Sequence, residues 1–208
     1  MINSLTSFEG PLFSNSLCKP YFLVDADDVT YQFIPNFDEF LKSRGVEVRE
    51  DDFWRGLSRE ENRRHFLDFL KGHPYLNIPF HEGVLQAFDI ISIMYSPVIV
   101  TARGKAVKGD ADTEIKDTLL RLKNDNFPYY KIIFEQAKGD LAKKLNFVVA
   151  VEDSPKNALD IKEKSPDTRT YLVDKKYNQF DEKKYGIIRV ESLLSAAQIE
   201  LKRWYSNS

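Results

Sequence analysis

The segment YFLVDADDVT (residues 21–30) decides the fold, because it turns an apolar run into a cluster of carboxylates. A short run rich in aromatic and β-branched residues is typical of a buried strand. Asp25, Asp27 and Asp28 follow it within four positions. Carboxylates crowded into one pocket repel one another unless a cation neutralises them. The segment therefore predicts a buried strand with a functional site at its end.

Four further runs of this kind are spaced along the chain, at residues 97–102, 131–134, 147–153 and 169–174. Segments with helical spacing of apolar residues, such as 112–125 and 138–146, separate them. This alternation is typical of a parallel sheet covered by helices, in which ligands lie beyond the carboxyl ends of the strands. We therefore predict an α/β fold with a Rossmann-like parallel sheet and its chemistry at the strand ends.

One interval breaks the alternation of strands and helices. Residues 30–95 contain helix-like segments and no convincing strand, and Ser58 with Glu61 matches a capping box at a helix start. We predict a small helical cap over 30–95, inserted after the first strand. The core domain would then comprise 21–29 and 96–208, preceded by an N-terminal arm over 1–20.

Composition excludes several classes of protein. The 30 basic and 32 acidic residues give a net charge of −2, which implies no general attraction to nucleic acid or to an anionic membrane. A single cysteine permits no internal disulfide and fits a cytoplasmic location. The first twenty residues lack a signal-peptide pattern, and no run approaches the ~20 apolar residues of a membrane span. The sequence contains no glycine-rich phosphate-binding loop, so no motif supports a kinase or a dinucleotide-binding enzyme.

Polar side chains follow the predicted strands where each strand ends. They are Asp25, Asp27, Thr101, Lys138, Glu152 and Asp153. Parallel strands in register would bring these groups to one edge of the sheet. Mg²⁺ prefers oxygen ligands and keeps waters and substrate phosphate in its shell. The pattern therefore predicts a magnesium site beside a lysine and a hydroxyl group.

The same residues resemble the four motifs of phosphatases of the haloacid dehalogenase superfamily. The family pattern D-x-D-x-[TV] is matched by residues 25–29, and the later motifs by Thr101, by Lys138 and by the acidic pair Glu152 and Asp153. The motifs occur in the family order over most of the chain. Asp28 departs from the pattern, since many members have Gly there, and it adds a carboxylate near the site.

The resemblance implies a Mg²⁺-dependent phosphomonoester hydrolase that forms an aspartyl-phosphate. Asp25 would be the nucleophile, and Asp27 would serve as general acid and then as general base. Thr101 would bind a phosphoryl oxygen, and Lys138 would offset negative charge. The metal would be held by Asp25, by the backbone carbonyl of Asp27 and by Asp153, with Glu152 assisting.

Within the superfamily, the cap region is similar to that of the 5'(3')-deoxyribonucleotidases. Phe33, Phe53 and Trp54 would then stack against a nucleobase, and Ala102 with Arg103 would contact the substrate after the second motif. Ala102 and Arg103 differ from these enzymes, where a Ser or a Pro-containing stretch follows the threonine. The alternative interpretation is that the aromatic residues pack the cap helices against one another.

Other functions stay open as alternatives. Arg103, Lys105 and Lys108 form a basic loop that fits a polynucleotide backbone, so a phosphatase of nucleic-acid 3' ends is one alternative. A non-enzymatic binding domain of the same superfamily is another, although every motif position is filled. A Cys18 nucleophile with a histidine base is disfavoured, because the cysteine lies in the predicted arm and none of the three histidines ends a strand. The expected partner is a small phosphomonoester.

Overall fold

A seven-stranded sheet forms the centre of the part of the chain that the computed structural model describes, residues 6–12, 19–104 and 111–207. Its strands are β1 (Thr6–Glu9), β2 (Tyr21–Asp25), β3 (Ser96–Thr101), β4 (Lys131–Phe134), β5 (Val149–Glu152), β6 (Arg169–Val173) and β7 (Ile188–Val190). Their spatial order is β1-β4-β3-β2-β5-β6-β7. The central strands are almost wholly buried, because they carry the apolar runs and are covered on both faces.

The pairing of the strands confirms the predicted fold class. Every neighbouring pair is parallel except β1 with β4, which is antiparallel. Strand β1 lies inside the predicted N-terminal arm, so part of that arm belongs to the sheet. Its side chains are mostly exposed, which explains why no buried run marks it in the sequence. Cys18 and the rest of the arm at residues 1–5 and 13–18 lie outside the described residues.

Helices connect the strands and cover the sheet. They are α1 (Phe33–Ser43), α2 (Arg59–Leu70), α3 (Val84–Met94), α4 (Ala111–Asn124), α5 (Lys138–Leu145), α6 (Pro155–Lys164) and α7 (Leu193–Asn207). Short 3-10 turns occupy Pro74–Leu76, Lys176–Asn178 and Glu182–Tyr185. The predicted capping box is confirmed, because Ser58 and Glu61 satisfy each other's backbone N–H groups at the start of α2. Among the helices of the described ranges, none has the length and apolar character needed to cross a membrane.

The predicted cap segment contains helices in two different settings. Helices α1 and α2 pack together through an aromatic cluster made of Phe33, Phe37, Phe40, Phe66 and Phe69. Helix α3 instead packs against α7 and β3. The boundaries of a cap at 30–95 remain a prediction, and α3 lies with the helices that cover the sheet.

The register of the strands brings the motif residues to one edge. Asp25 at the end of β2 lies beside Val100, one residue before Thr101 at the end of β3. Val24 lies beside Val151, one residue before the end of β5 at Glu152. Because these strands are parallel and end together, their last side chains share one edge of the sheet.

Candidate active site

Lys138 joins two of the motif carboxylates. Its Nζ lies 2.5 Å from Oδ1 of Asp25 and 2.8 Å from Oε1 of Glu152, and all three side chains are buried. Burial alone would lower the pKa of Lys138, but the two carboxylates outweigh it and raise that pKa above its ordinary value. The lysine is therefore held as an ammonium ion at the strand ends.

Asp25, Glu152 and Asp153 form a cluster of three buried carboxylates. Each offers a ligand oxygen, and these oxygens lie within 4.8 Å of one another. Burial, reinforced by the neighbouring negative charges, raises the pKa of Asp25 to about 8, that of Glu152 to about 8 and that of Asp153 to about 7. A divalent cation at this point would neutralise the excess negative charge. The all-oxygen donor set therefore fits Mg²⁺.

Glu152 has a partner at each of its two carboxylate oxygens. One oxygen faces Lys138, and the other accepts a hydrogen bond from Nδ2 of Asn157 at 3.1 Å. Asn157 belongs to helix α6, whose N-cap is Ser154. Glu152 is thus a second anionic partner of the lysine beside Asp25, in addition to its predicted part at the metal.

Asp27 forms an ion pair with Arg103. The Arg103 Nη2 lies 2.5 Å from Oδ1 of Asp27, and its Nε also donates to that carboxylate. The guanidinium group stacks on the rings of Tyr31 and Tyr75, 4.6 and 4.0 Å from their centroids, and Nη1 donates to Thr118. Arg103, predicted to contact the substrate, is only 3% exposed and is occupied by these groups.

Thr101 lies where the second motif predicts it, at the end of β3. Its side chain is buried, and its hydroxyl oxygen accepts a hydrogen bond from the backbone N–H of Arg103 at 3.2 Å. The backbone carbonyl of Thr101 accepts from the N–H of Glu135, after β4. Ala102, between Thr101 and Arg103, is half-buried. The backbone turn after β3 is therefore tied to the neighbouring strand.

The three aromatic residues predicted to stack on a base occupy different settings. Phe33 is 9% exposed and packs against the rings of the cluster on α1 and α2, as the packing alternative describes. Phe53 and Trp54 are 51% and 39% exposed and meet edge to face, with 5.1 Å between ring centroids. The pair at 53 and 54 therefore offers open ring surface, whereas Phe33 does not.

Asp28 stands where many members of the superfamily that the sequence resembles have Gly, and its backbone conformation is one that favours Gly. Its φ of 57° lies in the left-handed region, where Gly is favoured and Asp is among the residues tolerated. Both carboxylate oxygens accept from the backbone N–H of Ile34, in the first turn of α1. Burial raises the pKa of Asp28 to about 7. The extra carboxylate thus supports the turn from the first motif into α1.

Two residues outside the motifs hold Asp153. The hydroxyl of Tyr177 donates to Oδ2 of Asp153 at 2.7 Å, and Nδ2 of Asn178 donates to its backbone carbonyl at 2.7 Å. Both lie in the turn Lys176–Asn178 after β6. Sequence analysis did not identify them, because a tyrosine and an asparagine in a polar turn carry no distinctive periodicity or motif.

A cavity of about 340 Å³ is lined by Tyr177, whose hydroxyl reaches Asp153, whereas none of the three clustered carboxylates lines it. Asp28 and Tyr177 line it on the side of the sheet, and Ile34 with Pro35 lines it on the side of α1. The remaining wall carries charges of both signs, from Asp38, Glu39, Lys42, Glu50, Arg55, Lys175 and Lys176. Its volume lies within the ~300–1,000 Å³ range of small-molecule sites.

Comparisons with known proteins identify the fold. No protein-family model matches the sequence, and no curated protein matches it at a significant level. Among solved structures, a haloacid dehalogenase-like family hydrolase from Streptococcus pneumoniae has a TM-score of 0.57 and 14% identity, covering 88% of this chain and 98% of that one. A protein from Thermotoga maritima, described as a beta-phosphoglucomutase, has a TM-score of 0.59 and 15% identity, covering 88% and 99%.

A third similar structure is a haloacid dehalogenase-like family hydrolase from Xanthomonas campestris, with a TM-score of 0.51 and 12% identity. It covers 93% of this chain and 100% of the other. At such identities the likeness shows the fold alone. The chain therefore has the fold of haloacid dehalogenase-like hydrolases.

Proposed function

We propose that the protein is a Mg²⁺-dependent phosphomonoester hydrolase of the haloacid dehalogenase superfamily that forms an aspartyl-phosphate, an acyl phosphate, on Asp25. The observation that carries this proposal is the placement of Lys138 between Asp25 and Glu152, with Asp153 at the same edge of the sheet. A haloacid dehalogenase-like fold supports the same class of reaction. The single cysteine supports a cytoplasmic location within this proposal.

Asp25 is oriented for attack on phosphorus. Its Oδ1 accepts hydrogen bonds from Lys138 Nζ and from the backbone N–H of Ala26, which fixes the rotation of the carboxylate. Attack forms a bond between a carboxylate oxygen of Asp25 and phosphorus, and it breaks the bond between phosphorus and the leaving oxygen. Lys138 stays charged throughout and offsets the negative charge gathered at the phosphoryl group. Thr101 offers a hydroxyl to one phosphoryl oxygen.

Asp27 would move the protons. It would donate one to the leaving oxygen and later accept one from the water that hydrolyses the aspartyl-phosphate on Asp25. Arg103 holds its carboxylate in a two-point contact, which limits how far the side chain can swing. Mg²⁺, bound by Asp25 and Asp153 with Glu152 beside them, would supply Lewis-acid stabilisation of the transferring phosphoryl group.

The nucleophile is tested by Asp25→Asn, which keeps the shape of the side chain and removes its nucleophilic oxygen. We expect phosphate release from an aryl phosphate with Mg²⁺ to fall by more than about a thousandfold. Asp167→Asn is the matched control, because Asp167 is an exposed aspartate on the surface. Retention of wild-type turnover by Asp25→Asn would contradict the covalent mechanism.

We infer further that the leaving group is a nucleoside, so that the substrate is a nucleoside monophosphate. Phe53 meets the ring of Tyr177 edge to face, with 6.1 Å between centroids, and the Tyr177 hydroxyl reaches Asp153. Phe53 thus contacts a residue that lines the cavity, and the exposed ring of Trp54 meets Phe53. A stacked base gains about 1–3 kcal/mol on such rings.

Trp54→Ala tests this substrate class. The specificity constant kcat/KM for a nucleoside monophosphate should fall roughly five- to 150-fold, the equivalent of ~1–3 kcal/mol, while an aryl phosphate should be much less affected. Trp204→Ala, which alters a similarly exposed tryptophan on α7, is the control. An equal fall for both substrates would assign Trp54 to the folding of the cap instead.

The alternative substrate, a nucleic-acid 3' phosphate, has less support. Of the three basic residues that suggested it, Arg103 is buried against Asp27, and Lys105 and Lys108 lie outside the described residues. A substrate panel should include 3'-phosphorylated oligonucleotides, and preference for them would favour this alternative. Absence of phosphate release from every substrate would favour a non-enzymatic binding domain.

A further inference from the structure

The turn Lys176–Asn178 holds Asp153 at two points. Tyr177 donates to its carboxylate, and Asn178 donates to its backbone carbonyl, each at 2.7 Å. Asn178 is itself fixed, because its Nδ2 also donates to the carbonyl of Val173 and its Oδ1 accepts from Arg189. The position of Tyr177 is therefore set by a well-anchored turn at the end of β6.

The ring of Tyr177 also contacts a loop from the predicted cap. We name residues 50–55 the cap loop. Phe53 meets the Tyr177 ring at 69°, and the guanidinium group of Arg55 lies over it, 5.0 Å from the centroid. Beside this contact, Nζ of Lys176 lies 2.7 Å from Oε2 of Glu50. One tyrosine thus touches the cap loop with its ring and Asp153 with its hydroxyl.

Arg55 makes the cap loop a defined structure. Its side chain is 1% exposed, and Nη1 donates to the backbone carbonyls of Asp52 and Glu50. Its Nε lies 2.9 Å from Oδ1 of Asp38 in helix α1. The cap loop is therefore tied to α1, so a movement of α1 would carry the contact with Tyr177.

We propose that Tyr177 is a positioning residue that couples the seating of the cap loop to the orientation of the Asp153 carboxylate, and thereby to Mg²⁺ affinity. This inference rests on the metal site of the proposed function. The tyrosine hydroxyl occupies Oδ2 of Asp153, which would leave the other oxygen free to bind the metal. Mutating a residue that hydrogen-bonds to a metal ligand typically lowers metal affinity by about 10–100-fold.

Tyr177→Phe tests the contact with Asp153, because it removes the hydroxyl and keeps the ring. We expect Mg²⁺, titrated calorimetrically into the full chain, to bind about 10–100-fold more weakly than to the wild type. Tyr185→Phe is the matched control, since Tyr185 is an exposed tyrosine in a nearby turn. Wild-type affinity in Tyr177→Phe would overturn the inference.

Phe53→Ala tests the coupling, because it changes an exposed side chain and leaves the Tyr177 hydroxyl in place. We expect it to weaken Mg²⁺ binding by at least about threefold, because the effects of mutating residues in contact are commonly coupled energetically. Adding it to Tyr177→Phe should cause no further loss, since the route through the hydroxyl is already broken. Unchanged binding in Phe53→Ala, or independent effects in the double variant, would contradict the coupling.

The wild type separates this inference from the proposed function. A wild-type protein that binds Mg²⁺ but releases no phosphate contradicts the hydrolase proposal, while the variants still decide the role of Tyr177. A wild-type protein that hydrolyses phosphate and whose Tyr177→Phe variant binds Mg²⁺ normally contradicts only the inference. Absence of Mg²⁺ binding by the wild type would overturn both the inference and the metal part of the proposal.

Discussion

At the scale of residues, each of the two motif aspartates in the candidate site forms an ion pair with a different kind of cation. The nucleophile candidate Asp25 faces the ammonium group of Lys138, and the acid–base candidate Asp27 faces the guanidinium group of Arg103. The two cations differ in what they impose. An ammonium ion is a point charge, whereas a planar guanidinium fixes a carboxylate at two points. Arg103 therefore defines the orientation of Asp27 as well as balancing its charge.

Arg103→Lys should separate a positioning role from substrate binding. The variant keeps the positive charge but loses the two-point contact with Asp27 and the bond to Thr118. Because general acid–base catalysis contributes about 10²–10⁴-fold, misplacing Asp27 should lower kcat by about 10–100-fold with little change in KM. Steady-state kinetics on an aryl phosphate measure this, with Arg63→Lys on the surface of α2 as control. A rise in KM at constant kcat would instead support the predicted substrate contact.

At the scale of elements, the contact between α5 and α6 positions Lys138, the lysine of the candidate site. Lys138 is the first residue of α5, and Gly139 follows it against Asp160 of α6. The N–H of Gly139 donates to Oδ2 of Asp160 at 2.9 Å. A Cβ atom on Gly139 would lie 2.4 Å from the backbone carbonyl oxygen of Asp160, well inside contact distance. Only a glycine lets the two helices approach this closely.

Gly139→Ala should therefore push the start of α5 away from α6 and displace Lys138 from Asp25. We expect the free energy of unfolding to fall by about 1–3 kcal/mol, as for other overpacked contacts, and turnover to fall with it. Urea unfolding and phosphate release measure the two effects. Gly72→Ala, where the added Cβ meets nothing closer than 3.4 Å, is the control. Normal stability and activity in Gly139→Ala would show that Lys138 is positioned by other contacts.

Across the whole molecule, a second buried polar cluster lies away from the site and joins α7 to the sheet. Glu200 of α7 accepts hydrogen bonds from the hydroxyls of Tyr95 and Tyr171 and from Arg169. Tyr95 and Arg169 lie where β3 and β6 begin, whereas the candidate site lies where strands end. The Glu200 cluster and the candidate site therefore lie at opposite ends of the sheet.

Glu200→Gln should reveal this stabilisation through its pH dependence. Burial alone would raise the pKa of Glu200, but hydrogen bonds from Arg169, Tyr171 and Tyr95 outweigh it and lower that pKa. The contribution is therefore present above the ordinary glutamate pKa and is lost as pH falls through the lower folded value. We expect Glu200→Gln to lower the free energy of unfolding by about 1–3 kcal/mol at pH 7 and by much less near pH 3.

Urea unfolding at both pH values is the measurement, and phosphate release at pH 7 should persist because the cluster is remote from the site. Glu163→Gln, at an exposed glutamate, is the control. An equal loss of stability at pH 7 and pH 3 would contradict a contribution that depends on the charge of Glu200.

The sequence by itself determined the alternating architecture and the positions of the motif residues. Strands β2 and β4 begin and end where the apolar runs do, and α2 begins at the predicted capping box. These features depend on residues close together in the chain, whose spacing records which face is buried. Because the strands are parallel, their ends could be assigned to one edge of the sheet before any coordinates were known.

Only the tertiary structure revealed the strands at the edges of the sheet and the residues that hold the motif carboxylates in place. Strands β1 and β7 are short, lie at the two edges of the sheet and carry no long apolar run. Backbone pairing with a neighbouring strand holds each of them in place, and such pairing leaves no pattern in the sequence. The contacts of Arg103 with Asp27 and of Tyr177 with Asp153 join residues 76 and 24 positions apart. Such pairs follow from how distant segments pack, and no local periodicity encodes them.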